Sequence, residues 1–213
     1  MLKNYKTWIF VIIILIMANP GFSKKIETKI YKEQILEDFE KSKYDNKKHL
    51  TFQVHDNNAK RPSIKIRNQF PAPTKGSKNY LGIKFYAKWG DFLNVTPVKP
   101  LKVYKYCKEF YVWVYGKNYA GELSFVIQDS DKNIHRLVMG RLNFLGWRKL
   151  KVKVRNHIKQ EEDLLNKKKF IQIIRIQYRA ANRTRLPIWH YFYIDNISVS
   201  VRDKYTDKQS DDW

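Results

Sequence analysis

The chain has 213 residues, enough for one domain with a hydrophobic core, and its 42 lysine and arginine residues against 20 acidic residues give a net charge of +22. Its single cysteine, Cys107, excludes an intramolecular disulfide framework, so the fold depends on its core. The charge favours an anionic partner: nucleic acid inside the cell, or acidic proteins, anionic lipids and cell-wall polymers outside it. A solvated basic surface without a partner is the simpler alternative.

The first 23 residues have the pattern of a secretory signal peptide. Lys3 and Lys6 precede the apolar run 8–18, which is shorter than the about 20 residues of a membrane span. Gly21 and Ser23 are small residues at the positions that a signal peptidase reads, and they predict cleavage after Ser23. An uncleaved anchor is the alternative. Because a protein exported to the periplasm does not meet nucleic acid routinely, we expect no nucleic-acid partner, and we expect no stable membrane insertion after cleavage.

The first half of the remaining chain is less regular than the second. Residues 24–37 are charged and predict a short helix or an unstructured arm. In the segment 80–89, apolar residues alternate with lysines, which is typical of a half-buried strand. The predicted strands of this half are 35–40 and 80–89, with shorter strand signals at 51–54 and 63–66.

Residues 108–154 contain four runs rich in β-branched and aromatic residues, separated by turn-forming clusters. This pattern predicts consecutive antiparallel strands joined by hairpins. In the run 110–115 both faces are apolar, as expected of a central strand or of one that offers its aromatic face to a partner. The predicted strands of the second half are 110–115, 123–127, 137–139 with 142–144, 147–155, 170–179 and 189–201, the last with a bulge at Asp195 and Asn196.

These elements predict an all-β fold. Eight or nine strands, short connections and no repeat at a fixed period indicate a single antiparallel β-sandwich of the jelly-roll kind over residues 38–202. One short helix is expected within 156–169. Residues 203–213 are polar and predict a disordered tail. Cys107 is most simply a small packed residue, with intermolecular pairing as the alternative.

No catalytic or cofactor motif interrupts this pattern. The five histidines are far apart and there is no cysteine cluster, nucleophile elbow or glycine-rich phosphate loop. We therefore predict no enzyme activity and no cofactor. A glycosidase needs two carboxylates across a cleft, but no pair stands out among Asp38, Glu40, Glu122, Asp129 and Asp195. If the first and last strands pair, Asp38, Glu40 and Asp195 could together hold a calcium ion.

Four segments occur in a familiar order. They are 108–115 (KEFYVWVY), 123–131 (LSFVIQDSD), 139–147 with its FLGW end, and 191–199 (YFYIDNISV). Over roughly residues 80–201 the chain thus resembles the spirochaete periplasmic flagellar filament outer-layer protein family, FlaA. The resemblance implies a non-enzymatic sheath subunit that coats a flagellin core and contributes to filament shape and motility. It also implies a sandwich similar to carbohydrate-binding modules.

Two sets of side chains are candidate contacts with the flagellin core or with other sheath proteins. The outward residues of the strand 147–155 form a basic set that would steer an acidic partner: Lys149, Lys151, Lys153 and Arg155. The aromatic face of the strand 110–115 would anchor it: Tyr111, Trp113 and Tyr115. The alternatives are a periplasmic glycan-binding module that uses this aromatic face, with weak glycan contact, and a hydrolase with Asp38 and Asp195 as its carboxylates.

Overall fold

The computed structural model describes residues 30–55, 60–161, 169–181 and 186–204. The predicted signal peptide, the first residues of the predicted arm and the tail from residue 205 lie outside these ranges. The chain divides into two units, residues 1–32 and 33–213. Of the first unit, only residues 30–32 are described.

The described residues form twelve strands and one short helix. In chain order these are β1 (Lys32–Glu37), α1 (Asn46–His49), β2 (Leu50–Gln53), β3 (Ser63–Arg67), β4 (Tyr80–Ala87), β5 (Phe92–Val95), β6 (Leu101–Val103), β7 (Tyr106–Lys117), β8 (Gly121–Gln128), β9 (Ile134–Arg141), β10 (Leu145–Lys153), β11 (Ile171–Ala180) and β12 (Ile188–Arg202).

Two six-stranded antiparallel sheets make up the sandwich. Sheet A has the order β10-β7-β12-β4-β3, with β1 also paired to β12. Sheet B has the order β2-β5-β11-β8-β9, with β6 also paired to β11. The predicted all-β antiparallel sandwich is therefore confirmed. Every strand predicted from alternation has a counterpart, although the run predicted at 142–144 follows β9 as a loop.

The structure differs from the sequence predictions at two places, and a third prediction is tested only in part. Residues 32–37, predicted as part of a helix or arm, form strand β1. Strands β5 and β6 are not predicted, because neither has more than four residues and neither alternates clearly. In the predicted helix at 156–169, the described residues 156–161 form turns and irregular backbone, and 162–168 lie outside the described ranges.

The core consists of the residues that alternate inward from both sheets. Phe110 of sheet A meets Phe125 of sheet B edge to face, with ring centres 6.0 Å apart. Tyr178 of sheet B packs on Phe192 of sheet A at 4.4 Å. All four are buried, with at most 2% of each residue exposed. Aromatic pairs of this kind add about 0.5–1.5 kcal/mol to the energy of burial.

Strand β12 contains the predicted bulge. Its register with β7 shifts between Asp195 and Ser198, and Asn196 has a φ of 43°. The shift reverses the parity of the inward side chains, so that Phe192 and Ile194 before it and Ile197 after it are all buried. The prediction that a bulge at this position reconciles the two apolar phases is confirmed.

Cys107 is a packed core residue, 1% exposed. Burial raises the pKa of its thiol to about 12. A buried, protonated thiol is a poor partner for an intermolecular disulfide, so the packed-residue prediction is favoured.

We expect Gly121→Ala to destabilise the sandwich. A Cβ at position 121 would lie 1.9 Å from the hydroxyl oxygen of Tyr178, which is buried and hydrogen-bonded to His190 Nδ1 at 2.8 Å. Overpacking of this kind costs about 1–3 kcal/mol or more. Urea denaturation measures the loss. The matched control is Gly82→Ala, where the closest atom is in the flexible side chain of Arg67; an equal loss in both variants would contradict the explanation.

Candidate interaction surface

The aromatic strand β7 lies in the interior of sheet A, between β10 and β12. Every second residue of its central part is fully buried between the sheets: Phe110, Val112 and Val114. The residues between them point to the opposite side and are half-buried: Tyr111, Trp113 and Tyr115. The three aromatic side chains therefore belong to the outer surface of the sheet and retain an accessible part.

Strand β10 places its lysines on the same side of the sheet. The register sets Lys149 opposite Trp113 and Lys151 opposite Tyr111, and directly opposite residues point to the same face. Arg155 lies beyond the last residue of β10. The sequence gives no register, so it presents the aromatic and basic sets as separate. The structure joins them in one surface, the outer face of sheet A, formed by the outward side chains of β10, β7, β12 and β4.

The lysines of β10 differ in their neighbours. Lys149 Nζ lies 2.7 Å from Glu33 Oε1, and Glu33 also accepts a hydrogen bond from Ser198 Oγ at 2.6 Å. Although partial burial disfavours the charge, these two bonds hold the pKa of Glu33 below its ordinary value. Lys151 and Lys153 are exposed. Within the described ranges, no carboxylate lies within ion-pair distance of either lysine.

Four aromatic rings line a cleft on the same face: Tyr80, Tyr115, Trp147 and Tyr193. Each ring contacts two of the others, with centroid distances of 5.3 to 5.6 Å. The cleft has a volume of about 740 Å³. Its remaining lining residues are Arg67, Gln69, Phe70, Pro71 and Lys117. We call these nine residues the aromatic cleft.

The walls of the aromatic cleft are held by hydrogen bonds and cation–aromatic contacts. Trp147 Nε1 donates to the carbonyl oxygen of Phe70 at 3.1 Å, which links β10 to the loop 68–79. The charged ends of Arg67 and Lys117 lie 5.7 and 5.8 Å from the ring centre of Tyr193. The cleft therefore offers aromatic surface beside two positive charges, which suits a ligand with a flat apolar group and a negative charge.

Of the cleft residues, only Tyr115 is among the contact residues predicted from the sequence. The signal for the others is present in strand β12, where Trp189, Tyr191 and Tyr193 alternate with the inward Phe192. Reading both parities of that strand, and not only the buried one, would have predicted a second outward aromatic row. Trp147 belongs to the FLGW segment and lies two residues before Lys149 on the same face of its strand. Because the lysines dominate this face, the sequence does not single Trp147 out as a contact residue.

Cation–aromatic contacts continue along the outer face of sheet A, through Lys117 of the aromatic cleft and Lys84 outside it. Lys84 Nζ lies 4.1 Å from the ring centre of Trp189, and Lys117 Nζ lies 5.6 Å from that of Tyr191. Among the residues that the structure describes, neither lysine is within ion-pair distance of a carboxylate. The outer face of sheet A thus places aromatic rings beside cations. Lys149 pairs with Glu33, whereas Lys84, Lys117, Lys151 and Lys153 have no carboxylate within ion-pair distance in those ranges.

The loop 68–79, which forms one wall of the cleft, is attached to β12 by the bulge. Ser77 Oγ donates to the buried Asp195 at 2.5 Å, and Asn196 Nδ2 donates to Thr74 Oγ1 at 2.6 Å. Glu40 accepts hydrogen bonds from the backbone of Lys78 at 2.6 Å and from Asn79. The bulge residues therefore fix a loop that shapes the surface.

These contacts also bear on the calcium hypothesis. Both Asp195 and Glu40 accept hydrogen bonds from nitrogen or hydroxyl donors, and Asp38 accepts one from Glu40 N at 3.1 Å. In the described residues, no three histidine, cysteine or acidic side chains come together as metal ligands. The described residues therefore give no support to the calcium hypothesis. They give none to the hydrolase hypothesis either, because Asp195 is fully buried and its carboxylate accepts a hydrogen bond from Ser77.

We expect Asp195→Asn to stabilise the protein at alkaline pH. Burial raises the pKa of Asp195 to about 6, so the folded state binds a proton more tightly than the unfolded state. The sign follows: the carboxylate destabilises the fold above pH 6, and this cost disappears as pH falls towards 4. Thermal unfolding at pH 8 should favour the variant by about 1–2 kcal/mol, allowing for solvent screening.

The same comparison at pH 4 provides the control for this prediction. At that pH Asp195 is protonated in the folded state, so the advantage of the variant should be small. A variant that is less stable than the wild-type protein at pH 8, or equally favoured at both pH values, would contradict the assignment.

The outer face of sheet B is less suited to a partner. Its polar side chains satisfy one another: Gln177 Nε2 donates to Asn94 Oδ1 at 3.0 Å, Arg136 Nε donates to Gln177 Oε1 at 3.0 Å, and Arg136 also pairs with Glu122. Binding at this face would require these hydrogen bonds to break.

No helix in the described ranges has the length and hydropathy of a membrane span.

Comparison with known proteins gives a family and a relative. Residues 23–207 match the model of the family described as flagellar filament outer layer protein FlaA. A flagellar filament outer layer-like protein of Brachyspira hyodysenteriae is 30% identical over 142 residues, which span 65% of this chain and 65% of that protein. The chain thus spans just under two thirds of the length of this relative.

Among solved structures, the fold is similar to carbohydrate-binding modules. A family 11 module of Clostridium thermocellum in complex with a mixed-linked tetrasaccharide has a TM-score of 0.47 at 12% identity, covering 81% of this chain and 98% of the module. The module TmCBM61, in complex with a galactotriose, has a TM-score of 0.41 at 14% identity, covering 72% and 87%. These likenesses describe the arrangement of strands alone.

Proposed function

Since the chain belongs to the flagellar filament outer layer protein family, FlaA, we propose that it is a structural subunit of the outer layer of the periplasmic flagellar filament. It binds the flagellin core or other sheath proteins and contributes to filament shape and cell motility. It reaches the periplasm by its predicted signal peptide. It acts as a non-enzymatic protein without a cofactor.

The observation that supports the contact most strongly is the joint position of rings and cations on the outer face of sheet A. Exposed ion pairs contribute only about 0–1 kcal/mol each, whereas aromatic side chains supply much of the energy of a protein contact. A face with Lys151 and Lys153 beside Tyr111 and Trp113 combines the two. The cations attract and orient an acidic partner. The aromatic rings are then buried against that partner and are desolvated.

The composition of the chain agrees with this assignment. A net charge of +22 is spread over a small sandwich. Lys149 of β10 pairs with Glu33, but Lys151 and Lys153 of β10 and Lys84 of β4 are within ion-pair distance of no carboxylate in the described ranges. Such charges repel one another in the free subunit and would be neutralised against an acidic filament surface. The interaction should therefore weaken as salt rises, because the Debye length falls to about 8 Å at physiological ionic strength.

Isolation of the filaments tests the function directly. Periplasmic flagella purified from the organism should contain this protein, and deletion of its gene should change filament curvature and swimming. Restoring the gene should restore both. Filaments that lack the protein, or that keep their shape and motility in the deletion strain, would refute the proposal.

A second function, glycan binding, is favoured by one observation. Three rings of the aromatic cleft keep exposed surface, those of Tyr115, Trp147 and Tyr193. They could stack on a sugar, and Arg67, Gln69 and Lys117 beside them could hydrogen-bond its hydroxyl groups. A pull-down on peptidoglycan and on soluble polysaccharides tests this function. Retention that is lost in Tyr193→Ala would support it, and retention that is unchanged in both Tyr193→Ala and Trp113→Ala would exclude both aromatic sites.

A further inference from the structure

The aromatic cleft contains two cations whose charge is not balanced nearby. Arg67 is exposed and donates a hydrogen bond to Gln69 Oε1 at 3.0 Å, and Lys117 is exposed at the end of β7. In the described part of the chain neither lies within ion-pair distance of a carboxylate. Phe70, at the rim, is 76% exposed. The cleft thus matches an occupant that carries acidic groups beside an aromatic ring.

The sequence of this chain contains such a segment. Residues 209–213 read QSDDW, with Asp211 and Asp212 next to Trp213; they lie outside the described ranges. A comparable run at 37–40 has acidic residues around Phe39, but Phe39 is fully buried in the core. In a chain with 42 basic and 20 acidic residues, a pair of aspartates beside a tryptophan is complementary to the aromatic cleft in charge and matches it in aromatic character.

The path of the chain decides which copy of the cleft this segment can reach. Strand β12 carries the chain from Tyr193, in the cleft, to Arg202, a distance of about 30 Å at roughly 3.3 Å per residue. Lys204 is then held at that end of the sandwich, where its Nζ donates to the carbonyl oxygens of Lys169, at 2.8 Å, and Gln160.

From Lys204, the peptide to Asp212 spans at most about 29 Å when fully extended. It would have to return about 30 Å or more to its own cleft. This leaves no slack for Asp212 and Trp213 to enter the cleft of their own copy. A neighbouring copy imposes no such limit.

We propose that Asp211, Asp212 and Trp213 of one copy bind in the aromatic cleft of a second copy. The tryptophan packs against the rings of the cleft, and the two aspartates pair with Arg67 and Lys117. Because the two halves of this contact are different surfaces, it joins copies either head to tail or by reciprocal exchange of the two segments. Open chains of subunits suit an outer layer that extends along a filament, although the contact does not depend on that function.

Sedimentation velocity over a series of protein concentrations tests the proposal. The wild-type protein should form complexes that grow with concentration and shrink with added salt. A cleft variant, Arg67→Glu with Lys117→Glu, and a segment variant, Asp211→Lys with Asp212→Lys and Trp213→Ala, should each be monomeric. The control Lys47→Glu with Lys48→Glu changes two exposed lysines of α1 and should associate like the wild type.

The mixture of the two variants gives the sharpest outcome. Each keeps one working half of the contact, so an equimolar mixture should form a complex of two copies and no larger species. A wild-type protein that stays monomeric throughout, a segment variant that associates normally, or a mixture that forms no complex would each overturn the proposal. Melting temperatures of both variants close to that of the wild type confirm that they are folded.

A labelled peptide of residues 208–213, with its carboxyl group blocked, separates the occupants of the cleft. Fluorescence anisotropy should show binding to the wild-type protein and at least a tenfold loss with the cleft variant. Binding of an oligosaccharide in the cleft without binding of the peptide would overturn the proposal in favour of a glycan site. If the segment variant fails to associate but still sediments with flagellar filaments, the copy-to-copy contact is supported and the coat function is unaffected.

Discussion

Replacing Lys151 and Lys153 together by glutamate should lower the affinity of the protein for flagellar filaments by about 10- to 100-fold. The double variant removes two attractions and adds two repulsions at an acidic partner surface, for a total of about 1.5–3 kcal/mol. Both lysines are exposed, and among the described residues neither lies within ion-pair distance of a carboxylate. The substitutions should therefore not destabilise the fold. Co-sedimentation with filaments stripped of their outer layer measures the affinity.

The control for this variant is Lys47→Glu with Lys48→Glu, which makes the same change of net charge in the exposed helix α1. Its affinity for the filaments should be within about twofold of that of the wild type, because at physiological ionic strength the charge close to a contact matters more than the net charge of the protein. Equal losses in the two double variants would show that the interaction is non-specific, and the outer face of sheet A would lose its assigned role.

The second large effect distinguishes the two faces of strand β7. Phe110→Ala should destabilise the protein by about 3–5 kcal/mol, because Phe110 is fully buried and packs on Phe125 across the sandwich. The neighbouring Tyr111→Ala should cost about 1 kcal/mol or less, since Tyr111 is half-buried on the outer face. Denaturant unfolding measures both variants.

Filament binding should show the opposite order. Tyr111→Ala should weaken binding several-fold. In the wild-type protein, burial and then the hydrogen bond to Glu109 raise the pKa of the Tyr111 phenol to about 12. If Phe110→Ala proves too unstable to purify, Phe110→Leu gives a smaller loss of stability with binding retained. A stability loss larger for Tyr111→Ala than for Phe110→Ala would reverse the assignment of the two faces.

The strands were predictable where alternation is long. The runs at 80–87 and 147–153 identify their buried faces, because apolar and polar side chains alternate over several residues. The run at 110–115 is predictable as a strand but its orientation is not, since both of its faces are apolar. The bulge in β12 was predictable from alternation as well, since the apolar phase changes at Asn196. Strands β5 and β6 were not, because three or four residues do not establish a period. Their pairing with β11 also involves residues about 70 positions away for β6 and more than 80 for β5.

The interaction surface was predictable in its parts but not in its assembly. Alternation shows that Lys149 points outward, but it does not decide this for Trp113, because both faces of the run 110–115 are apolar. It does not show that they stand opposite each other, because register depends on which strands pair. The aromatic cleft is further from the sequence still: Tyr80, Trp147 and Tyr193 come from three strands, and only the order β10-β7-β12-β4 brings them together.

Site-specific cross-linking tests the central claim, that the outer face of sheet A contacts the filament. A photo-reactive amino acid is placed at position 151 on this face, or at the exposed Thr51 of β2 in sheet B, and intact cells are irradiated. The account predicts cross-links from position 151 to flagellin or another filament protein, identified by mass spectrometry, and none from position 51. Cross-links from position 51 alone would contradict it and would move the contact to the opposite sheet.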